Sequence, residues 1–250
     1  MDKNEVCYWC GKLATSREHV PPKCLFPEEK DVKEIYVQSY RKNLITVPSC
    51  DEHNMVKSNE DEYLMTCLSG RVGNNGVAYV HNATKVKRAR YRNPNMIKIL
   101  KDDILKIKGN EFPVQWATFD VKKLMYSFEA IARALYFHEQ NKNFNGNCKL
   151  VSRIFTHPDA RKWSNFNLRA TELIEKEQPH WGTKIKGDNT KIFTYQFSPI
   201  DGFKCQTLVL TFYEATKIFV ILSGMTQEEI EKVRSKFSFI NKVILGDLEQ

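Results

Sequence analysis

The chain has 250 residues, of which 42% are hydrophobic and 27% are charged, a balance that is ordinary for a soluble globular protein with its own core. It contains no run near the ~18 consecutive apolar residues of a membrane span, and its first residues lack the apolar segment of a secretory signal, so the sequence predicts a cytoplasmic protein with no membrane partner. The formal net charge of +8 indicates a polyanionic partner only weakly, because many basic proteins bind no nucleic acid.

The N-terminal region begins with extended chain. Residues 20–26 are predicted to be extended and interrupted by prolines, and residues 43–47 are predicted to form a short strand. The charged residues 27–33 between them are expected to be a surface insertion. Two extended segments therefore precede the first predicted helix.

That helix is predicted from its capping signal. Ser49 and Glu52 fit a capping box, in which a serine caps the helix and the side chain of a glutamate three residues later accepts a hydrogen bond from the backbone amide of that serine. The helix should continue to about Cys67. Gly70 and the glycines that follow it should then end the helix.

Residues 77–110 are predicted to be helical and strongly basic. Apolar side chains recur at a helical period through residues 96–107. Five cations with no acid among them precede that segment: Lys85, Lys87, Arg88, Arg90 and Arg92. We expect this cluster to follow a phosphate backbone, the alternative being a solvated helix face.

The rest of the chain is predicted to be mixed α and β structure. Asp120 can cap a helix with a regular apolar face, and residues 161–176 form a second amphipathic candidate. Thr226 and Glu229 fit another capping box, which opens a last helix. Three short β runs predict a small antiparallel sheet: residues 192–197, 207–212 and 218–222.

Four soft metal ligands bracket the N-terminal region. Cys7 and Cys10 form a Cys-x-x-Cys pair, and Cys50 and His53 form a Cys-x-x-His pair about 40 residues later. Two such pairs can close tetrahedrally on one ion, so the sequence predicts a structural zinc. An odd number of cysteines without an export signal argues against a disulfide framework. The alternative is that these cysteines are buried or free thiols.

The residues between these pairs and just after the second one can perform hydrolysis. His19 is basic near neutral pH and is the best candidate for a general base. Glu18 and Asn54 offer hard oxygen ligands for Mg²⁺ or Mn²⁺, and Lys57 shares a helix face with Asn54. Neighbours on an extended strand point to opposite sides, so Glu18 and His19 can share one site only if the chain bends locally.

In order and spacing, these residues resemble the HNH, or ββα-metal, nuclease family of the zinc-containing type, over about residues 5–60. The resemblance implies a fold of two strands and a helix around a catalytic ion. Glu18 stands where the family usually has aspartate, and many members have cysteine at the position of His53. The implied roles are metal ligand for Glu18, general base for His19, brace for Asn43, completion of the metal site for Asn54 and phosphate contact for Lys57.

The predicted fold is therefore α+β. An HNH unit with a structural zinc spans residues 1–70, a basic helical linker that binds substrate spans 71–110, and an α+β domain of unknown role spans 111–250. The C-terminal domain is where a homodimer or protein contact would be made.

The expected function is a metal-dependent endonuclease that hydrolyses DNA by a one-metal mechanism and leaves 5′-phosphate ends. The resemblance suggests a role in restriction or phage defence only by analogy. RNA is an alternative substrate. The alternative function is a non-catalytic zinc module that binds nucleic acid or protein.

Overall fold

The computed structural model describes residues 5–155 and 161–236. They form a mixed α+β fold with small antiparallel sheets, as the sequence predicts. Among these residues no helix has both the length and the apolar character needed to cross a membrane. The chain divides into two compact units, and the predicted boundaries at residues 70 and 110 both fall inside the first. The first unit comprises Met1–Asn143, Gly187–Thr194 and Thr211–Thr216, and the second Phe144–Lys186, Tyr195–Leu210 and Lys217–Gln250.

A two-stranded antiparallel sheet opens the first unit. Strand β1 is Ser16–Val20 and strand β2 is Ile45–Ser49, with His19 directly opposite Thr46. The segment predicted to be extended at residues 20–26 is so only in part: Val20 ends β1, and Lys23–Leu25 form a 3-10 turn against the prediction. Its two prolines, which come after a cis peptide bond at Val20, carry no N–H group for a β ladder.

The connection between the strands contains a short helix, α1 (Glu29–Val32). Glu29, Lys30 and Lys33 are exposed but Asp31 and Val32 are buried, so the expectation of a surface insertion over residues 27–33 is only partly correct. The reason is an ion pair over a long sequence separation, since Arg88 donates to the Asp31 carboxylate at 2.7 Å.

Helix α2 (Asp51–Ser69) follows β2 directly and ends at Gly70, as predicted. The predicted capping box is wrong, because Cys50 occupies the N-cap position and makes no side-chain cap hydrogen bond. Ser49 is still the last residue of β2, and its buried side chain donates to the carbonyl of Cys50 at 3.3 Å. The helix therefore begins at a candidate metal ligand.

The next helical stretch comprises α3 (Gly76–His81), a π-helical turn (Asn82–Val86) and α4 (Lys87–Arg92). Asn75 caps α3, since its side chain accepts from the amide of Ala78 at 3.1 Å. The helical prediction for residues 77–110 is therefore correct only as far as Arg92.

Beyond that point the helical prediction is wrong. Strand β3 (Lys98–Ile107) pairs antiparallel with strand β4 (Asn110–Thr118). The turn between them consists of Lys108 and Gly109, which have φ angles of 48° and 82°. Two consecutive residues with positive φ form the preferred tight turn of a hairpin. This turn pairs residues 98–107 with the following strand, although their apolar residues also recur at a helical period.

Helix α5 (Val121–Gln140) follows the hairpin in the first unit and is predicted correctly. The carboxylate of Asp120 accepts from the amides of Lys122 and Lys123 at 3.0 and 3.2 Å. The predicted apolar face is buried, with Phe128 and Ile131 fully so. One end of this helix lies near the candidate site.

The second unit has its own hydrophobic core. It contains β5 (Asn147–Val151), α6 (Arg161–Glu177) and α7 (Gln227–Lys236), together with most residues of β6 (Phe193–Phe197), β7 (Cys205–Phe212) and β8 (Thr216–Ser223), whose ends nearest residues 194, 211 and 216 belong to the first unit. The strand order in the sheet is β5–β8–β7–β6, so the three predicted strands are confirmed and β5 is an addition. Phe166 of α6 packs with Val209 and Phe219 of the sheet.

Helix α7 has the predicted reciprocal cap. Thr226 Oγ1 accepts from the amide of Glu229 at 3.2 Å, and the Glu229 carboxylate accepts from the amide of Thr226 at 2.9 Å.

Candidate metal centre and neighbouring polar groups

A tight turn presents the first two candidate ligands. The Cys7 amide donates to the carbonyl of Lys12, and the Gly11 amide donates back to the carbonyl of Cys7. Gly11 has a φ of +72°, a conformation that favours glycine. The Tyr8 amide donates to the carbonyl of Pro48 at 3.0 Å. The turn is thereby fixed to the end of β2, immediately before the other two ligands.

The four ligand atoms converge. The Sγ atoms of Cys10 and Cys50 are 3.8 Å apart, and Nδ1 of His53 lies 3.7 Å from Cys7 Sγ and 3.1 Å from Cys50 Sγ. All four atoms lie within 4.8 Å of one another. A tetrahedral zinc would separate two sulfurs by about 3.8 Å and a sulfur from a nitrogen by about 3.6 Å. The donor set and its spacing therefore fit the predicted zinc, and these residues form a possible zinc-binding site.

The electrostatics of this cluster differ between its thiols. Burial disfavours the thiolate of Cys7, but the backbone amides of Cys10, Trp9 and Cys50 outweigh burial and lower the pKa of the Cys7 thiol. Burial and the neighbouring sulfurs of Cys50 and Cys7 raise the pKa of Cys10. Three sulfurs held this close disfavour simultaneous ionisation, a cost that a divalent ion would offset.

Aromatic rings cover one side of the cluster. The Trp9 ring stacks on the His53 imidazole, with centroids 5.1 Å apart and planes 20° apart, and on the Tyr126 ring at 5.3 Å and 24°. The Arg133 guanidinium lies 5.2 Å from the centre of the same indole. Tyr126 and Arg133 belong to α5, so the stack links the candidate metal centre to that helix.

These aromatic residues carried no recognisable functional signal in the sequence. Trp9 lies between the two cysteines of the turn, where any residue is compatible with metal binding. Tyr126 lies 73 positions after His53, so no spacing rule could connect the two residues.

Asn54 and Glu18 lie toward the same face of β1. The Asn54 side-chain amide donates to the hydroxyl of Ser16 at 2.9 Å. Ser16 and Glu18 are two positions apart on a regular strand, so their side chains share a face. Among the residues predicted for catalysis, these two are brought to one side of the strand.

Glu18 lies in a packed environment. It is only 6% exposed. Burial raises the pKa of the Tyr8 hydroxyl well above its ordinary value, and the Glu18 carboxylate adds to that rise. Burial and the charge of Glu18 also raise the pKa of Tyr126. The carboxylate therefore lies near both tyrosines.

His19 projects from the other face of the strand. Its cross-strand partner is Thr46, and Arg17 shares its face by alternation. His19 is partly exposed, in contrast to Glu18. The local bend that was expected to bring the two residues together does not occur within β1, because the ladder is regular from Ser16 to Val20 and the prolines lie beyond it.

Asn43 and Lys57 complete the predicted set. Asn43 is exposed, has a φ of 53° and lies two residues before β2, in a left-handed conformation that asparagine tolerates. Asn43 and Asn54 are thus located on the segments leading into and out of β2. The side chain of Lys57 lies outside the described part of the structure.

The basic cluster is largely occupied by ion pairs within the first unit. Lys85 lies 3.4 Å from Glu28, Arg88 lies 2.7 Å from Asp31, and Arg92 lies 2.6 Å from Glu62. The two remaining cations are Lys87, which is exposed and lies 6.0 Å from the centre of the Tyr91 ring, and Arg90, which is partly exposed.

Comparison with known proteins adds no assignment to this geometry: no protein-family model, curated protein or solved structure matches the chain.

Proposed function

We propose that this chain is a metal-dependent endonuclease that hydrolyses phosphodiester bonds in DNA. The observation that supports the proposal is the convergence of Cys7, Cys10, Cys50 and His53 at the corner between β2 and α2. This cluster holds the first turn of α2 beside β1, so that Asn54 lies next to the strand bearing Glu18 and His19. Two antiparallel strands followed by a helix, with a cluster of soft ligands at the corner, agree with the HNH resemblance of the sequence.

The proposed general base is His19. A neutral imidazole can take a proton from water as the water attacks phosphorus, and its partly exposed position leaves it accessible. Glu18 and Asn54 are the proposed ligands of a Mg²⁺ or Mn²⁺ ion. The Asn54 Nδ2 atom donates to Ser16, which leaves its Oδ1 oxygen as a hard ligand on the face that Glu18 shares. Such an ion would stabilise the developing 3′-oxyanion, and the product would carry a 5′-phosphate.

The proposed position of the scissile phosphate follows from the alternation of side chains along β1. Glu18 and His19 leave the strand on opposite faces, so one group can reach both only at an edge of the strand. In the described residues β1 pairs with β2 alone, and its second edge has no strand partner. We place the phosphate along that second edge, with the ion on one side of the strand and the base on the other.

The test is cleavage of plasmid DNA and of RNA by the full chain with Mg²⁺, Mn²⁺ or no added divalent ion. His19→Ala should lower the rate by about 10²–10⁴-fold, the range that a general base contributes, while zinc content stays unchanged. His180→Ala, which changes an exposed histidine of the second unit, is the matched control. Wild-type cleavage by His19→Ala would refute the assignment of the base.

A second candidate function is a zinc module that binds nucleic acid or protein without catalysis. The burial of Glu18 and its position near Tyr8 favour this alternative, because a buried carboxylate is poorly placed to share an ion with a substrate. The same assay separates the two functions. Binding without metal-dependent cleavage, on either DNA or RNA, would support the module.

A further inference from the structure

A groove lies beside the β1–β2 sheet, and its lining includes Arg17 and Thr46, which share the face of His19, as well as Val47, which pairs with Glu18. It encloses about 390 Å³, and it lies between the two strands and the C-terminal end of α5. This volume is within the range of small-molecule sites. Thr46 and Arg17 line the groove. Thr46 lies opposite His19 in the ladder, and Arg17 lies on the same face of β1 as His19. The groove therefore reaches the sheet face that carries the proposed base.

The lining offers apolar surface and hydrogen-bonding groups, but little net charge. Pro48 and Phe137 provide flat apolar surface, while His138 and Asn141 provide polar groups at the end of α5. This combination suits a planar ring that has apolar faces and a polar edge.

Arg17 is the cation of the groove, and its charge is compensated. Its Nη1 atom lies 2.6 Å from the Glu5 carboxylate, and its Nη2 and Nε atoms donate to the carbonyl and hydroxyl of Thr46 at 3.1 and 3.3 Å. Most of the guanidinium donors are therefore already occupied. An isolated phosphate would have to compete with Glu5 for this cation, whereas an uncharged group would not.

We propose that this groove binds the nucleoside part, base and sugar, of a nucleotide next to the scissile bond. The inference rests on the proposed nuclease function and deepens it, because it specifies on which side of β1 the substrate strand continues. The base packs on Pro48 and Phe137, its polar edge faces His138 and Asn141, and its phosphate extends toward His19.

Binding to the zinc-loaded full chain without Mg²⁺ tests this directly, since it needs no cleavage. The probes are the four deoxynucleoside 5′-monophosphates and inorganic phosphate, followed by NMR chemical shifts. His138→Trp should fill the groove and weaken nucleotide binding at least tenfold. Gln140→Trp adds the same bulk to an exposed position of α5 outside the groove and should bind as the wild type does.

Two results would overturn the inference. One is that no nucleotide binds more tightly than inorganic phosphate, and the other is that His138→Trp and Gln140→Trp bind equally well. Folding of both variants is checked by zinc content and by their unfolding midpoints. If nucleotides bind in the groove but the wild type cleaves neither DNA nor RNA, the groove stands and the nuclease proposal fails. If the wild type cleaves while no nucleotide binds, the nuclease proposal stands and the groove proposal fails.

Discussion

The thiols of Cys24 and Cys67 differ in pKa from the thiol of the candidate ligand Cys7, although all three cysteines belong to the first unit. Burial raises the pKa of both thiols to about 12, so neither forms a thiolate near neutral pH. The backbone amides around Cys7 have the opposite effect and lower its pKa. Metal binding requires the thiolate. This contrast separates Cys7 from the two buried thiols, and the convergence of the four ligand atoms identifies the candidate ligands.

Replacing one of the candidate ligands should therefore prevent zinc from binding at this possible site. Cys50→Ser is expected to abolish stoichiometric zinc binding, because a hydroxyl is a far weaker ligand than a thiolate at this site. Zinc per chain, measured by atomic emission after dialysis, checks the prediction. The matched control is Cys205→Ser in the second unit, which should retain the wild-type zinc content. A full equivalent of zinc in Cys50→Ser would exclude this cluster as the site.

His81 makes the first unit sensitive to acid. The residue is fully buried, and one of its ring nitrogens lies 3.1 Å from the carbonyl of Cys24. Burial, together with the nearby Lys85, lowers its pKa from 6.5 to about 4. Between these two values the unfolded chain binds a proton that the folded chain does not. The free energy of unfolding must therefore fall as the pH drops from 6.5 toward 4, and this group has little effect above 6.5.

His81→Gln keeps a donor for Cys24 but cannot titrate. Between pH 7 and pH 5 the wild type should lose on the order of 1–2 kcal/mol more stability than this variant. Urea unfolding at the two pH values measures the difference. Protonation of the candidate ligand cysteines changes the free energy of unfolding equally in both proteins, so it cancels when their losses are compared. Equal losses in the two proteins would show that His81 is not the acid-sensitive group.

At the scale of elements, α4 and the π-helical turn before it leave only some of their five cations available to a partner in solution. Lys85, Arg88 and Arg92 are paired with acids, whereas Lys87 and Arg90 remain the candidates for binding phosphate. Removing one cation that binds a phosphate should reduce the slope of log affinity against log salt by about 0.9. The double variant Lys87→Ala, Arg90→Ala should therefore weaken DNA binding and reduce this slope by nearly two.

The matched control for that variant is Lys85→Ala, Arg92→Ala, which removes the same formal charge from ion-paired positions. It should change the salt slope by less than half as much. Fluorescence anisotropy with a labelled duplex at several salt concentrations measures both variants. Identical slopes in the two double variants would refute the division of the cluster into paired and available cations.

The elements with a local signal were predictable, and those defined by distant contacts were not. Asp120 and Thr226 mark helix starts correctly, because a cap depends on residues three or fewer positions away. The hairpin at Lys108 and Gly109 could not be told from a helix, because the apolar residues of segment 96–107 recur at a helical spacing. The candidate ligands were found from their spacing alone. The pairing of Arg88 with Asp31 could not be found, since 57 positions separate the two residues.

At the scale of the whole molecule, the two units differ in what stabilises them. The second unit packs α6 against its sheet through Phe166, Val209 and Phe219. The N-terminal turn and the β1–β2 sheet of the first unit are small, and a two-stranded sheet is only marginally stable by itself. The ligand cluster ties this turn to the start of α2. A zinc ion bound at this possible site would therefore contribute directly to the folding free energy of this region.

Removal of zinc should accordingly loosen one part of the chain selectively. With a chelator that competes for zinc, amide hydrogen exchange should accelerate at least tenfold in β1, β2 and the first turn of α2, because the ligand cross-link is removed. The amides of β7 and β8 near Val209 and Phe219 should keep their protection, since their core contains no candidate ligand. Exchange followed by mass spectrometry with and without the chelator resolves these segments, and added zinc should restore the slow rates. Unchanged exchange in β1 and β2 would mean that the cluster does not support the sheet on which the proposed catalytic residues lie.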